Sequence, residues 1–205
     1  MSKNLIIRVI TSLLLLSILF LCLFLNKYSW LLLIIIASII SFFEFGNLIK
    51  KTWKRNKSTI YLANVICFFY LYFFIFTTYQ DGRIQIFDTL YVLSICMLTD
   101  IGGYVVGKLF GGKKLTKISP NKTISGCIGS FLFSLFSIIS IIYYDQFYLK
   151  SFGFNLTSTD YLKNIFFILF ISFICQAGDL FISYFKRKAK VKDTGIILPG
   201  HGGLL

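Results

Sequence analysis

The amino-acid sequence predicts an all-α, polytopic integral membrane protein with about six transmembrane helices and both termini on the cytoplasmic side. Of its 205 residues, 57% are hydrophobic and only 14% are charged, whereas soluble globular domains contain about 25% charged residues. Its apolar runs are about 20 residues long, which is the length that a helix needs to cross the hydrocarbon core of a bilayer. The same composition excludes a disordered chain, a collagen-like repeat and a disulfide-rich secreted scaffold.

Six apolar segments define the predicted helices. A chain inside hydrocarbon must satisfy its own backbone hydrogen bonds, so segments of this length are expected to be helical even where Ile, Phe and Tyr would favour strands in water. In chain order, the predicted spans are Leu5–Leu25, Trp30–Ile49, Ile60–Tyr79, Ile84–Val106, Ile124–Tyr144 and Tyr161–Ile182.

The distribution of Lys and Arg predicts how these helices are oriented. Of the 21 cationic residues, 17 fall in the N-terminal segment, the second loop, the fourth loop and the C-terminal tail. The intervening loops contain only Lys27, Arg83, Lys150 and Lys163. Because positively charged loops stay on the cytoplasmic side, both termini are predicted to be cytoplasmic. This pattern accounts for the net charge of +13, and we expect no nucleic-acid partner.

Three carboxylates are expected to lie at one depth in the membrane. Glu44, Asp100 and Asp179 each precede a basic segment by about two helical turns, roughly 10 Å below the interface. Glu44 is close enough to Lys50 and Lys51 to form an interfacial ion pair, and a functional role is the alternative. Ionisable groups at such depth usually face a cavity, a partner or an ion. Small residues that we expect to leave room for a ligand flank the two aspartates: Thr99, Gly102 and Gly103 beside Asp100, and Ala177 and Gly178 beside Asp179.

Two carboxylates without a histidine or thiolate cluster favour a hard cation such as Mg²⁺, which binds oxygen and keeps bonds to water and phosphate. Glycine lets the backbone approach an anion closely, and successive free N–H groups can hold phosphate oxygens. Such glycines stand among lysines in the fourth loop, at Gly107, Gly111 and Gly112, and again in the tail. The sequence therefore predicts a magnesium site at Asp100 and Asp179 with phosphate-binding segments nearby.

The tail contains a dense motif that resembles a known family. Its elements are Ser183, Lys186-Arg187, Lys192-Asp193 and Pro199-Gly200-His201-Gly202-Gly203. They resemble the signature of the phosphatidate cytidylyltransferases, the CDP-diacylglycerol synthases. A second stretch is similar to the same family: Asp100 to Tyr104, Gly107, Phe110-Gly111 and Ser119-Pro120-Asn121-Lys122-Thr123. The resemblance runs from about residue 95 to the end, and the first three helices match only in hydrophobicity.

Several positions depart from the family pattern. Asn121 replaces a usual lysine, and Ile124 and Ser125 stand where an aromatic residue and a glutamate are common. The family signature continues after the Gly-Gly with an Asp-Arg pair, whose aspartate is implied to share the metal with Asp179, and the sequence ends at Leu205. We therefore expect a C-terminally truncated member, of which residues 1–205 alone bind Mg²⁺-CTP poorly and turn over negligibly.

The resemblance implies that CTP and phosphatidate react to give CDP-diacylglycerol and pyrophosphate in phospholipid biosynthesis. It implies a Mg²⁺ cofactor, membrane lipids as partners, a homodimer as one possible assembly, and a place in the cell (inner) membrane with the active face cytoplasmic. Residues 1–83 are expected to form the first three helices, and residues 84–205 the catalytic region, incomplete at its C-terminus.

The resemblance also assigns roles to residues. Those expected to act in catalysis are Asp179, Lys122, Lys186, Arg187 and His201. Those expected to bind substrate are Ser119, Thr123, Ser183, Lys192, Asp193, Gly200, Gly202 and Gly203. The metal is expected to be bound by Asp179 and Asp100.

Two other functions stay open at this point. A CTP-dependent polyprenol or phytol kinase would share the nucleotide site but transfer the γ-phosphoryl group. An ion-coupled transporter would use Asp100 and Asp179 within the membrane and need no nucleotide.

Overall fold

The computed structural model of this chain describes residues 3–54, 56–79, 84–116, 119, 122–144, 158–199 and 202–205. These residues form helices and no strands, with isolated antiparallel bridges at Lys114–Thr123 and Leu198–Gly202. The helices are α1 (Lys3–Leu25), α2 (Lys27–Thr52), α3 (Lys57–Tyr79), α4 (Ile84–Phe110), α5 (Ile124–Ser134), α6 (Ile138–Tyr144) and α7 (Ser158–Lys188). The predicted all-α fold is confirmed.

Within the described part of the chain, five helices are long and apolar enough to cross a membrane. They cover Ile6–Leu25, Lys27–Thr52, Lys57–Thr78, Thr89–Phe110 and Tyr161–Lys188, and a shorter apolar stretch covers Ile124–Ser140. The chain is therefore an integral membrane protein with several spans. The sequence predicts about six spans, and the described residues form five long apolar helices and one shorter, interrupted helical segment.

The interruption in the fifth predicted span has a local cause. A 3₁₀ turn at Leu135–Ser137 separates α5 from α6. The hydroxyls of Ser134, Ser137 and Ser140 each donate to a carbonyl three residues earlier, at oxygen–oxygen distances of 2.8, 2.7 and 2.5 Å. Serine side chains that bond to the backbone in this way compete with regular helix geometry and can bend a helix.

Asn26 alone separates α1 from α2, and its side chain explains how α2 can begin directly after α1 ends. The Asn26 side chain accepts a hydrogen bond from the Ser29 backbone N–H at 2.8 Å, and the Ser29 hydroxyl accepts one from the Asn26 N–H at 3.3 Å. This reciprocal arrangement satisfies donors that a helix start leaves unpaired.

The chain forms two compact units. The first contains Met1–Ile86 and Tyr184–Leu205, and the second contains Phe87–Ser183. In the first unit, Leu48, Ile49 and Phe185 form a buried apolar cluster. The Phe185 ring lies 5.5 Å from Trp53 and 6.0 Å from Phe45, between ring centroids. These contacts fix the last turn of α2 against the last turn of α7, where the tail begins.

In the second unit, α4 and α7 pack side by side. The Tyr91 ring stacks on Phe167 at 6.1 Å, and the buried Thr99 hydroxyl donates to the Ser172 hydroxyl at 3.0 Å. On both helices the Tyr91–Phe167 contact comes before the contact of Cys96 with Cys175, so the two helices run parallel. Asp100 and Asp179 each lie four residues beyond Cys96 and Cys175, so the parallel packing of α4 and α7 brings the two aspartates to the same level.

Candidate active site

Asp100, Lys122 and Asp179 come together in the second unit. The Lys122 Nζ forms an ion pair with Asp179 Oδ2. Asp100 lies close enough for the charges of Asp179 and Lys122 to act on its carboxylate. The side chain of Asp179 is 58% accessible and that of Lys122 is 29% accessible, and Asp100 is also exposed. The cluster can therefore be reached by a ligand from outside the helix packing.

The loop between α4 and α5 delivers Lys122 to this cluster. The loop begins at Gly111 and Gly112, whose φ angles of 58° and 101° are in the left-handed region that favours glycine. It then folds back on itself, because the Leu115 N–H donates to the Lys122 carbonyl at 2.8 Å and the Ile124 N–H donates to the Lys113 carbonyl at 3.0 Å. The Lys122 backbone is thus fixed at the start of α5.

Two hydroxyl groups form hydrogen bonds at the start of α5. Thr123, predicted to bind substrate, caps α5 by accepting a hydrogen bond from the Gly126 N–H at 3.1 Å. Its hydroxyl lies 2.9 Å from the Ser125 hydroxyl, which in turn donates to the Gly111 carbonyl. Ser125, a departure from the resembled family, thus ties the two ends of the loop together. Ser119 lies in the same loop, where its N–H donates to Thr116 Oγ1 at 3.2 Å and its carbonyl accepts from the Lys122 N–H at 3.1 Å.

The glycines beside Asp100 do not leave room for a ligand, which corrects the sequence interpretation. A Cβ on Gly102 would lie 2.5 Å from the Gly129 carbonyl oxygen and 2.5 Å from Phe133 Cβ, and one on Gly103 would lie 2.6 Å from Ser130 Oγ. The space is filled by α5. Small residues let two membrane helices approach closely, so these glycines position α5, and with it Lys122, against α4.

The small residues beside Asp179, unlike those beside Asp100, leave open space. A Cβ built on Gly178 meets no atom within 4 Å, and Ala177 is exposed. On this side of the cluster, the space that the sequence predicted beside the aspartate is open.

The carboxylate pair fits a magnesium ion by the chemistry of its donors. Among the described residues, no group of three or more His, Cys, Asp or Glu side chains comes together. Mg²⁺ does not require one, because it is usually bound by one or two carboxylates together with water and substrate phosphates. Asp100 and Asp179 supply two carboxylates at an accessible position, and Lys122 supplies a cation for phosphate.

The tail forms a closed loop in the first unit. We call residues 193–205 the signature loop; Gly200 and His201 lie outside the described residues. Leu198 and Gly202 exchange two backbone hydrogen bonds of 2.8 Å each. Gly202 has a φ of 89°, and a Cβ there would lie 2.7 Å from Asp193 Cβ. Both observations explain why this position holds glycine.

The remaining predicted residues occupy the end of α7 and the tail. Ser183 is half-buried on α7, and Lys186 and Arg187 lie in its last turn. The Lys186 ammonium donates to the Leu205 carbonyl at 2.8 Å. Lys192 is exposed.

Glu44 has different partners from those expected. The carboxylate is 4% exposed, and its hydrogen bonds come from the signature loop, not from Lys50 or Lys51. The Thr194 hydroxyl donates to it at 2.8 Å, and the Leu204 and Leu205 N–H groups donate to it at 2.9 and 3.1 Å. Sequence reasoning noted the carboxylate but assigned neighbours on its own helix, since nothing local indicates a partner so distant along the chain.

Cys96 and Cys175 provide a test of the α4–α7 packing. Their Sγ atoms lie 3.1 Å apart, one turn before Asp100 and Asp179 respectively. We expect copper phenanthroline to remove two electrons and two protons from the thiols and join them in a disulfide. Mass spectrometry should show the linked peptide, and Cys96→Ser should abolish it while Cys127→Ser should not. Failure to cross-link under conditions that oxidise other thiols would contradict the packing of α4 on α7.

Comparison with known proteins places the chain in a family. A sequence profile described as the cytidylyltransferase family matches residues 48–205. The chain belongs to the cytidylyltransferase family. The matched region contains the Asp100–Lys122–Asp179 cluster and the whole signature loop, whereas Glu44 precedes it.

Curated relatives carry the name phosphatidate cytidylyltransferase. The chain is 40% identical to the one from Staphylococcus haemolyticus (strain JCSC1435) over 141 residues, which cover 66% of this chain and 47% of the relative. It is 39% identical to the one from Staphylococcus aureus (strain COL) over 65% of this chain and 47% of the relative. For the one from Helicobacter pylori (strain ATCC 700392 / 26695), the identity is 37%, over 65% of this chain and 46% of the relative. The chain spans about half the length of the curated relatives it matches.

Proposed function

We propose that the protein is a phosphatidate cytidylyltransferase that transfers CMP from CTP to phosphatidate, forming CDP-diacylglycerol and releasing pyrophosphate. Family membership and the names of the relatives support this activity. The observation that carries it in the structure is the accessible cluster of Asp100, Asp179 and Lys122, because two carboxylates and one ammonium group match the charges of a metal-bound nucleotide.

The chemistry of the substrates indicates what the protein must supply. The phosphomonoester of phosphatidate has a second pKa of about 6 and is largely dianionic at neutral pH, so its oxygen needs no strong base before it attacks. The main barriers are repulsion between two anions and alignment of the attacking oxygen with the leaving pyrophosphate. A site for this reaction therefore needs cations and rigid positioning more than a proton acceptor.

The chain's own residues are suited to both tasks. Asp100 and Asp179 would hold Mg²⁺, which when bound neutralises phosphate charge and orients the oxygens around phosphorus. Lys122 would exchange its ion pair with Asp179 for a phosphate oxygen of the nucleotide. The hairpin-like loop and the close α4–α5 packing hold the Lys122 backbone in place, so that only its flexible side chain moves.

The remaining predicted residues belong to the same proposal. Lys186, Arg187 and His201 are proposed to contact phosphates. The residues proposed to bind substrate are Ser119, Thr123, Ser183, Lys192, Asp193, Gly200, Gly202 and Gly203. We further propose that the active face is cytoplasmic in the cell (inner) membrane. Phosphatidate would then arrive laterally from the bilayer, and CTP from the cytoplasm.

Isotope labelling tests the reaction directly. The full-length protein, reconstituted with phosphatidate and Mg²⁺, should transfer label from α-³²P-CTP into lipid and release label from γ-³²P-CTP as pyrophosphate. Lipid labelled only from the γ position would reject the proposal in favour of a CTP-dependent lipid kinase. Liposome uptake of an ion or solute without any nucleotide requirement, combined with no labelled lipid, would instead favour a transporter.

A further inference from the structure

Glu44 is a buried carboxylate with no role in the proposed chemistry. Its side chain is 4% exposed and lies in the third-last turn of α2. An ionised carboxylate removed from water is strongly destabilising unless hydrogen bonds replace its hydration. The contacts of Glu44 must therefore explain how its buried charge is stabilised.

The donors to Glu44 come from both ends of the signature loop. From the beginning of the loop, the Thr194 hydroxyl lies 2.8 Å from Oε2. From its end, the Leu204 N–H lies 3.1 Å from Oε1 and 2.9 Å from Oε2, and the Leu205 N–H lies 3.1 Å from Oε2. Hydrogen bonds to an ionised acceptor are about twice as strong as neutral ones. The carboxylate therefore joins the two ends of the loop, where the Thr194 hydroxyl also lies 3.0 Å from the Leu205 carbonyl oxygen and Lys186 donates to that same carbonyl.

Two glycines of the loop fit this carboxylate closely. A Cβ on Gly195 would lie 2.5 Å from Glu44 Oε1, and a Cβ on Gly203 would lie 2.5 Å from Oε2. Glycine at these positions lets the backbone reach the carboxylate. Gly203 thus has a packing reason to be glycine that is independent of any substrate.

We propose that Glu44 is a positioning residue that holds the signature loop in its binding conformation before substrate arrives. The carboxylate fixes both ends of the loop, and the Leu198–Gly202 hydrogen bonds close it in the middle. The effect on turnover rests on the proposed function, because it requires that the loop take part in binding CTP. Preorganisation of this kind lowers the ordering cost that binding must otherwise overcome.

Glu44→Gln is the central test, because Gln has nearly the same size but offers an NH₂ group where the loop presents donors. The loop should open more often, so trypsin should cut after the exposed Lys190 and Lys192 about tenfold faster or more, since loss of one charged hydrogen bond shifts an equilibrium by at least that factor. Cleavage that is limited by a rapid opening equilibrium reports the population of the open state. Mass spectrometry of the full-length protein in lipid nanodiscs would identify both cuts.

Kinetics separate positioning from a merely structural role. If the loop must be reordered by substrate, the apparent affinity for CTP falls by the fraction of closed loop. The KM for CTP in Glu44→Gln should therefore rise by the factor by which the closed fraction falls, about twofold to fivefold for a tenfold shift of an opening constant that starts between about 0.1 and 1, with a smaller change in kcat at saturating CTP. A merely structural role would lower the amount of active protein, reducing kcat at unchanged KM, and that result would overturn the proposal.

Two further variants keep the test decisive. Asn47→Ala, on the exposed side of α2 one turn away, should leave both cleavage and KM unchanged. If Glu44→Gln lowers the thermal midpoint of the whole protein, Thr194→Val is the second test, because it leaves the carboxylate and removes the hydroxyl that lies 2.8 Å from Glu44 Oε2 and 3.0 Å from the Leu205 carbonyl oxygen. Faster tail cleavage in a stably folded Thr194→Val protein supports the proposal, and cleavage at the wild-type rate contradicts it.

The inference and the proposed function can fail separately. If the wild-type protein makes no labelled CDP-diacylglycerol but Glu44→Gln opens the loop, the proposed reaction is wrong and Glu44 still holds the loop. If the wild-type protein is active and Glu44→Gln changes neither cleavage nor KM, the role of Glu44 is wrong and the reaction stands.

Discussion

In the full-length protein, Asp179→Asn is expected to reduce the proposed CDP-diacylglycerol formation by about 10³-fold or more, because metal-ion stabilisation of phosphoryl transfer contributes several kcal/mol and each ~1.4 kcal/mol is a factor of ten in rate. The substitution removes one of two carboxylates available to the metal. It also leaves the Lys122 ammonium without the partner with which it is paired, so the cluster loses its net negative charge. Initial rates with labelled CTP across a series of Mg²⁺ concentrations would measure the loss.

Asp88→Asn is the matched control for this prediction. Asp88 lies on the same helix as Asp100, about 18 Å away along α4 at 1.5 Å per residue, and the same change of charge and shape there should leave activity within about twofold. Direct binding of Mn²⁺, followed by electron paramagnetic resonance, should weaken in Asp179→Asn and not in Asp88→Asn. Equal Mn²⁺ binding by both variants, or near-normal turnover in Asp179→Asn, would rule out Asp179 as a ligand of the proposed metal site.

Gly129→Ala is expected to destabilise the protein by about 1–3 kcal/mol, which is the usual cost of adding atoms to a closely packed contact. A Cβ at this position would lie 2.8 Å from the Gly102 carbonyl oxygen and would also overlap Val106. Neither α4 backbone nor a β-branched side chain can yield easily, so α5 must move away from α4. The thermal midpoint in detergent, measured by the change in helical circular dichroism, would report the loss.

Ile128→Ala introduces the same residue at the neighbouring position and serves as the control. Ile128 is 55% exposed on α5, and lipid replaces the contacts that its side chain loses, so a change within about 0.5 kcal/mol is expected. If Gly129→Ala were as stable as Ile128→Ala, the close approach of α4 and α5 would be wrong. Because α5 begins beside Lys122, Gly129→Ala should also weaken Mg²⁺-dependent turnover beyond its effect on stability.

The membrane helices could be predicted from sequence because their cause is local. A backbone in hydrocarbon must bond to itself, so an apolar run of sufficient length predicts a helix without knowledge of its neighbours. Five of the six predicted spans match long helices of the structure, namely α1, α2, α3, α4 and α7. The break at Leu135–Ser137 depended on which serine hydroxyls bond to the backbone, and hydrophobicity alone does not contain that choice.

Residue chemistry identified Asp100 and Asp179, because ionisable side chains are rare in membrane helices, and the family resemblance added Lys122. Sequence spacing could not show that Lys122 pairs with Asp179 or that α5 packs directly against Gly102 and Gly103. It also could not show that Glu44 accepts hydrogen bonds from a loop at the other end of the chain. Those contacts depend on how helices pack in three dimensions, and packing brings together residues whose separation along the chain carries no information about distance. The sequence determined the helices and the reactive groups, and the tertiary structure decided their partners.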